Sequence, residues 1–493
     1  MGDGEGRRGA WRRLVVTAAA VAALGGGTLA ATAFDDRVRS PRPVPEARCG
    51  PGSRPETDLQ GRVPRADYES GRAAKGYTCN TREIGHSGKS GGFKTLRYVD
   101  EHGNVCGYYD SDPIMPRDVL GGAVEDGLGV VALDMNDPSR PRRTANLITP
   151  AMLAPHESLL VHRKRGLLIG VMGNLATAPG VVDIYDISED CRHPRLLSTT
   201  PSALFGHESG LSPDGRTFWS AGAASNTLVA VDITDPTAPR TVFQQSGVVY
   251  HGLRFSPDGR LMYVANIGSP SPDGLSGGGL RILDVSEVHE REPDPDVRTL
   301  SDLTWPQLSI PQVAEPFTRD GHHYVLEVDE FIDLFTFESA GRFREAPVGA
   351  ARIIDVDDPR RPRIVSDIRL EVHQPSLRDD DLFADPGNAS PAQGYAAHYC
   401  SLPRRRDPNL AACSMILSGL RVFDIRDPEH PREVAYFNKP ELPGGSLLTP
   451  EEGSYAMSAP AWDVKERQIW YTDVHTGFYA VRLTNGVGRL LRE

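Results

Sequence analysis

Four histidines, His156, His207, His251 and His398, recur in comparable settings along the chain. His207 lies five residues before Ser212, and His251 lies five before Ser256; each of those serines opens a Ser-Pro-Asp-Gly turn. His156 stands five before Val161 in the same register, and Ser458 five before Asp463. Neutral imidazoles brought to one point are good ligands for Fe, Cu, Zn or Mn. A carboxylate that accepts the second ring N–H fixes the tautomer of such a ligand. Glu157 and Glu208 directly follow two of the histidines, and Glu315 and Glu327 come from the segment that fills the gap before His398. Neighbours on a strand point to opposite sides, so a direct role for Glu157 or Glu208 requires a local bend. Without a metal, the same histidines would hydrogen-bond backbone groups around a water-filled channel.

The separations of the four histidines are 51, 44 and 147 residues. Only a ring-shaped fold brings such distant positions to one place. A repeated phrase supplies the ring. Ser418–Val434 reads as a strand, a tight Asp-Pro turn and the start of another strand. Proline has no N–H to donate and pushes the residue before it out of helical space, and Asp427 favours the turn. The phrase returns with aligned aspartates at Asp134, Asp186, Asp232, Asp284, Asp355 and Asp424, and with Arg482 in a seventh, eroded place. The aspartates are spaced 52, 46, 52, 71 and 69 residues apart. Short strands at such periods signal a propeller. The expectation is an all-β, seven-bladed propeller of four-stranded antiparallel blades, A to D from the axis outwards, spanning 81–493. In it the histidines begin the innermost strand A of blades two, three, four and six. Glu315 is expected at that place in blade five. Val487–Leu491 is expected as the last strand, closing a blade that N-terminal residues complete. Insertions at 268–278, 286–312, 329–349, 371–395 and 438–455 are expected on one face, where long connections tend to carry function.

The first 33 residues read as a signal peptide. Arg7, Arg8, Arg12 and Arg13 precede an apolar run, Leu14 to Leu29, and Ala31-Thr32-Ala33 offers a cleavage site. Export by the Sec or twin-arginine route to the envelope or medium follows; an uncleaved anchor is the alternative. No stable membrane span is expected after cleavage. Residues 34–80, rich in Pro, Arg and Gly, read as an extended arm. Six cysteines in an exported chain suggest disulfides. Cys400 and Cys413 flank a short loop and are expected to pair; Cys49, Cys79, Cys106 and Cys191 allow three pairings. A net charge of −12, with only six lysines, argues against a nucleic-acid partner. No G-x-S-x-G elbow, phosphate loop or dinucleotide-binding glycine pattern stands in a suitable context.

The phrases GHSGKSGGFKTLRYVD, TPAMLAPHESL, GHESGLSPDGRT, YAAHYC and SGLRVFDIRDP resemble those of LVIVD-repeat proteins, an exported bacterial propeller family. The resemblance covers roughly Gly85–Phe437. It implies a propeller and export but no assigned reaction, so function has to come from the site. One expectation is an extracytoplasmic binding or scaffold module that holds a protein, peptide or small ligand on its insertion-bearing face. The other is a metal-dependent oxidoreductase with one Fe, Cu, Zn or Mn ion on the four histidines. That site is similar in arrangement to carotenoid-cleaving dioxygenases and methanethiol oxidases.

Overall fold

The computed structural model describes residues 42–111, 127–173, 178–223, 226–271, 274–276, 278–305, 309–331, 348–378, 380–388, 394–440 and 453–492. The expected signal peptide, residues 1–33, lies outside them, as do the first residues of the expected arm. Seven antiparallel sheets stand in a ring. Blade three shows the plan. Strand A is Glu208–Leu211, B is Thr217–Gly222, C is Thr227–Asp232 and D is Arg240–Ser246. Its B and C strands are buried along their whole length, whereas D is mostly half-buried or exposed.

The repeated aspartate is the clasp between strands C and D. In blades one to six it ends strand C and receives the backbone N–H two residues on, at 2.9 to 3.1 Å. Its other oxygen accepts from an arginine at the start of strand D, from Arg142 in blade one to Arg432 in blade six. The turn residues after the aspartate thus set the chain direction, and the arginine fixes the register.

One residue beyond that arginine pair, strand D carries a bulge at the same place in every blade. A bulge inserts an unpaired residue and sharpens the twist. The extra residue is Thr144 in blade one. In the other six it is Leu197, Val242, Leu300, Val365, Val434 and Ile84, and each packs against the apolar core next to its blade. The core is accordingly split into seven layers, one between each pair of neighbouring blades. Among the described residues these apolar layers lie between blades, which leaves the axis for polar side chains.

The ring closes through blade seven. Its strand C is Gly477–Leu483, and its strand D is Thr81–Ser87 from the N-terminal side. The expected closing strand at Val487–Leu491 is not formed. Gly486 has a φ of 89°, which ends the extended chain, and Val487–Arg489 makes a 3-10 turn. The chain before the ring packs on blade six, where Tyr77–Cys79 adds a fifth strand. Arg421 of blade six, fully buried, pairs with Glu56 of that segment and with Glu433.

All six cysteines are bonded, as Cys49–Cys79, Cys106–Cys191 and Cys400–Cys413. The last pair joins directly facing residues of strands A and B in blade six. Three disulfides point to an oxidising compartment. No helix among the described residues is long and apolar enough to cross a membrane.

Strand direction separates the two faces. Strand A starts at the face where the B–C and D–A connections lie; the A–B and C–D turns lie opposite. The strand ends that flank four of the five expected insertions therefore lie at the face on which the histidines begin strand A. The fifth, 286–312, is divided. Its helix Ser286–Glu290 belongs to a C–D connection and sits on the opposite face with the aspartate clasps.

Candidate metal centre

His156, His207, His251 and His398 meet at the axis on the insertion-bearing face. Two of them sit at a local irregularity. His156 has a φ of 51°, the bend that turns Glu157 towards the axis. His251 lies where strand A of blade four, Tyr250–Phe255, slips register between Tyr250 and Leu253. Blade five has the matching irregularity between Pro311 and Val313. Gln312 therefore occupies the place that the spacing had given to Glu315. Gly252 permits the contact between these strands, because a Cβ there would stand 2.4 Å from the Gln312 carbonyl oxygen.

The ring nitrogens have divided roles. Nδ1 of His207 faces the Gly173 carbonyl at 3.1 Å, Nδ1 of His251 faces that of Pro311 at 3.0 Å, and Nδ1 of His398 faces that of Met457 at 2.6 Å. A carbonyl only accepts, so each Nδ1 carries the proton and each Nε2 is turned inwards. The inward nitrogens converge on Glu157. Its Oε2 is 2.8 Å from His251 Nε2 and 3.4 Å from His207 Nε2, and its Oε1 is 3.2 Å from His398 Nε2. The Nε2 atoms of His207 and His251 are 3.1 Å apart. His156 is half-buried, its ring 4.6 Å from that of His207. Phe93 closes one side with ring distances of 4.3 Å to His156 and 5.4 Å to His398.

Two further residues complete the cluster. Glu330, at the end of strand B in blade five, places Oε2 3.2 Å from His398 Nε2. Gln312 donates from Nε2 to Glu157 Oε1 at 2.5 Å. The sequence signal for both was weak, since neither is a histidine and Glu330 comes from strand B rather than strand A. The run Glu327-Val328-Asp329-Glu330, acidic yet strand-like, was the available hint.

The other expected carboxylates serve elsewhere, because backbone carbonyls already take the outer ring nitrogens. Glu208 is fully buried and points along the axis to Lys94 Nζ at 2.8 Å, with Tyr399 Oη donating to it at 3.2 Å. Glu315 binds Arg254 at 2.5 Å, and Arg254 also approaches Glu208 at 3.6 Å. These four groups form a charge-balanced layer beneath the histidines. Glu327 pairs with Arg352 between the strands of blade five.

Charge in the cluster is strongly coupled. Burial raises the Glu157 pKa, but the His251 charge and bonds from three imidazoles outweigh it and hold the carboxyl well below its usual range. Burial lowers the His398 pKa, but bonds to Glu157 and Glu330 outweigh it and push the imidazole up to about 9. His251 is raised as Glu157 overcomes its burial, whereas burial dominates at His207 and lowers it. The same pocket can hold protons on two imidazoles or a divalent cation in their place, and metal binding would release those protons.

The residues fit a metal. With metal–nitrogen bonds of about 2.1 Å, neighbouring ligand atoms lie about 3.0–3.4 Å apart, the scale of the separations found here. Glu157 is 2 % exposed, and its Oε2 faces two imidazole nitrogens at 2.8 and 3.4 Å. An open cleft of about 840 Å³, lined by Arg42, Asp424 and His430 among others, shares no residue with this cluster and brings no such convergence of ligands.

No protein-family profile matches the chain, and no curated protein is similar to it in sequence. Solved structures with partial similarity to the chain include two enzymes. Hydrazine synthase of Kuenenia stuttgartiensis is 12% identical with a TM-score of 0.48, over 80% of this chain and 97% of that one. A periplasmic gluconolactonase of Pseudomonas aeruginosa is 13% identical with a TM-score of 0.42, over 73% of this chain and 88% of that one. At such identities the likeness is one of fold, and the reactions of those proteins do not transfer.

Proposed function

We propose that the chain is an exported propeller of the LVIVD-repeat kind whose histidine cluster binds a divalent first-row metal and works as a metal-dependent enzyme on a small molecule. The observation that carries this is the set of three imidazoles with outward Nδ1 atoms on backbone carbonyls and inward Nε2 atoms around one buried carboxylate. Outer partners that fix the tautomer are the usual supports of metal-bound histidine. His207, His251, His398 and Glu157 would hold the ion, with His156 beside them. Bound there, the metal would supply Lewis acidity and an activated water, and with iron or copper it would also supply redox chemistry. Ordinary surface salt bridges do not explain the cluster, since burying so many ionisable groups is costly.

The binding-module expectation meets this reading at one place. Four insertions leave from strand ends on the face that holds the histidines, so a ligand recruited at that face would lie over the centre. Phe93 supplies an apolar wall, and the Lys94–Glu208–Arg254–Glu315 layer closes the axis below. The test is elemental analysis of untagged protein purified from the exported fraction. The expected result is bound Fe, Cu, Zn or Mn that falls at least tenfold in His207→Ala and His251→Ala while circular dichroism stays unchanged. Wild type that is metal-free and cannot be loaded with any of the four ions overturns the reading.

A further inference from the structure

Glu157 turns its two carboxylate oxygens to different partners. Oε2 faces His207 and His251, which form with it a triangle of 2.8, 3.1 and 3.4 Å. Oε1 faces His398 at 3.2 Å, and His398 Nε2 is again 3.2 Å from Glu330 Oε2. Ligand atoms of His156, Glu157 and His207 all lie within 4.8 Å of one another, and so do those of Glu157, Glu330 and His398. The two sets share only Glu157. The separations of 3.4 Å between Glu157 and His207 and of 3.2 Å from His398 to Glu157 and to Glu330 match the edge of a coordination shell built on bonds of about 2.1 Å.

A carboxylate that offers one oxygen to each of two ligand sets is a bridging ligand. We propose that the channel mouth holds two divalent ions of the Mn, Fe, Co or Zn class, bridged by Glu157. The first lies against Oε2, with His207, His251 and His156. The second lies against Oε1, with His398 and Glu330. This inference rests on the metal reading above and adds the second ion and the role of Glu330.

Two observations independent of the ligand count point the same way. Glu157 Oε2, though buried, faces two Nε2 atoms whose rings donate outwards from Nδ1 to backbone carbonyls. Gln312, itself fully buried, donates to Oε1 and so fixes the carboxylate plane across the axis, the orientation a bridge needs. The ligand sets also differ in kind. One is rich in nitrogen, and the other pairs a single imidazole with two carboxylates, so the two ions would differ in affinity. Two divalent ions against two carboxylates leave net positive charge, which a bridging hydroxide would reduce and a dianionic oxyanion would balance. Paired ions about 3.5–4 Å apart clamp the attacking and leaving oxygens of such ligands.

The experiment uses untagged full-length protein from the exported fraction, stripped with chelator and dialysed to equilibrium against Mn(II). Bound manganese is counted per chain, and its electron paramagnetic resonance spectrum is recorded. Two ions per chain with a spin-coupled spectrum are expected. Glu330→Gln should keep one ion and show the hyperfine pattern of isolated Mn(II), with circular dichroism unchanged. Should that variant unfold, Glu330→Asp read at rising Mn(II) is expected to fill its two sites stepwise rather than together. One ion per chain in wild type, or two ions without coupling, overturns the bridged pair and leaves the single-metal reading standing. No uptake of Mn(II), repeated with Fe(II), Co(II) and Zn(II), overturns both.

Discussion

Gln312 holds Glu157 from the side opposite His251, through a bond of 2.5 Å within a fully buried setting. Its removal should leave the histidines in place and loosen the carboxylate. Gln312→Ala is expected to weaken metal binding about 10–100-fold, the usual effect of losing an outer partner of a ligand. A metal titration with a chromophoric chelator measures it. Lys94 belongs to the layer below, with its ammonium over the Tyr399 ring at 3.9 Å and 2.8 Å from Glu208. Burial lowers its pKa, and Glu208 only partly restores the charged form. Lys94→Met would strand a buried carboxylate and should cost about 3–5 kcal/mol in urea unfolding, whereas Lys94→Met with Glu208→Gln should recover much of that loss. The convergence of the four histidines was readable from the sequence because the repeat sets them at equivalent places; Glu157, expected to accept an outer ring N–H, faces the inward nitrogens instead, because the bend at His156 turns it to the axis. Glu330, Gln312 and Lys94 were not readable, because their side chains reach the axis from strand B, from a bulge and from the residue before a strand. No spacing rule encodes those directions.

Strands C and D owe their pairing to the aspartate clasp, and Asp232 shows it at its fullest. It receives Thr234 N–H at 3.0 Å, Arg240 at 3.1 Å and, from a neighbouring helix turn, Arg291 at 2.9 Å. Burial alone would raise its pKa, but Arg291, Thr234 and Arg240 outweigh it and depress it. A carboxyl with a depressed folded pKa stabilises above its unfolded value of about 3.9, and that contribution is lost as pH falls through the folded value. Stability should thus hold from pH 7 to about 5 and decline below about 4. Asp232→Asn should cost about 1–3 kcal/mol at pH 7 and flatten the decline, as followed by thermal melts across pH. The turn between strands C and D was legible where an Asp-Pro pair follows the apolar run, as at Asp427-Pro428, because that is local chemistry; the pairing of the repeated aspartate, three residues earlier, with an arginine of strand D was not. The common bulge was not, since it depends on the apolar layer between blades. Nor was the failure of Val487–Leu491 as a strand: its residues are apolar enough, but Gly486 turns the chain first.

Seven separate apolar layers mean that the molecule is held by its blade-to-blade contacts, and the disulfides reinforce these unequally. Cys106–Cys191 ties blade one to blade two across 85 residues, Cys49–Cys79 pins the N-terminal segment across 30, and Cys400–Cys413 spans 13 within one blade. Chain-entropy estimates are about 4.5, about 3.5 and about 3 kcal/mol respectively. Paired Cys→Ser variants should lower the melting temperature in that order, read by calorimetry under non-reducing conditions. A reversed order would show that local strain, rather than loop length, sets their worth. The sequence left the first two pairings open because only the ring brings Cys106 and Cys191 together.

Blade seven also sets a schedule for the life of the chain. Thr81 pairs with Leu483 and Ser87 with Phe478, so a strand made among the first is mated to one made among the last. Contacts of such long span form late, since nearly the whole chain must be ordered before they are gained. Until then the six earlier blades wait as an open arc with two raw edges. Such edges invite pairing with other chains. The vulnerable period ends only when the final residues arrive, so a chain cut short by even a few dozen residues is an unclasped bracelet, exposed to proteases and chaperones alike.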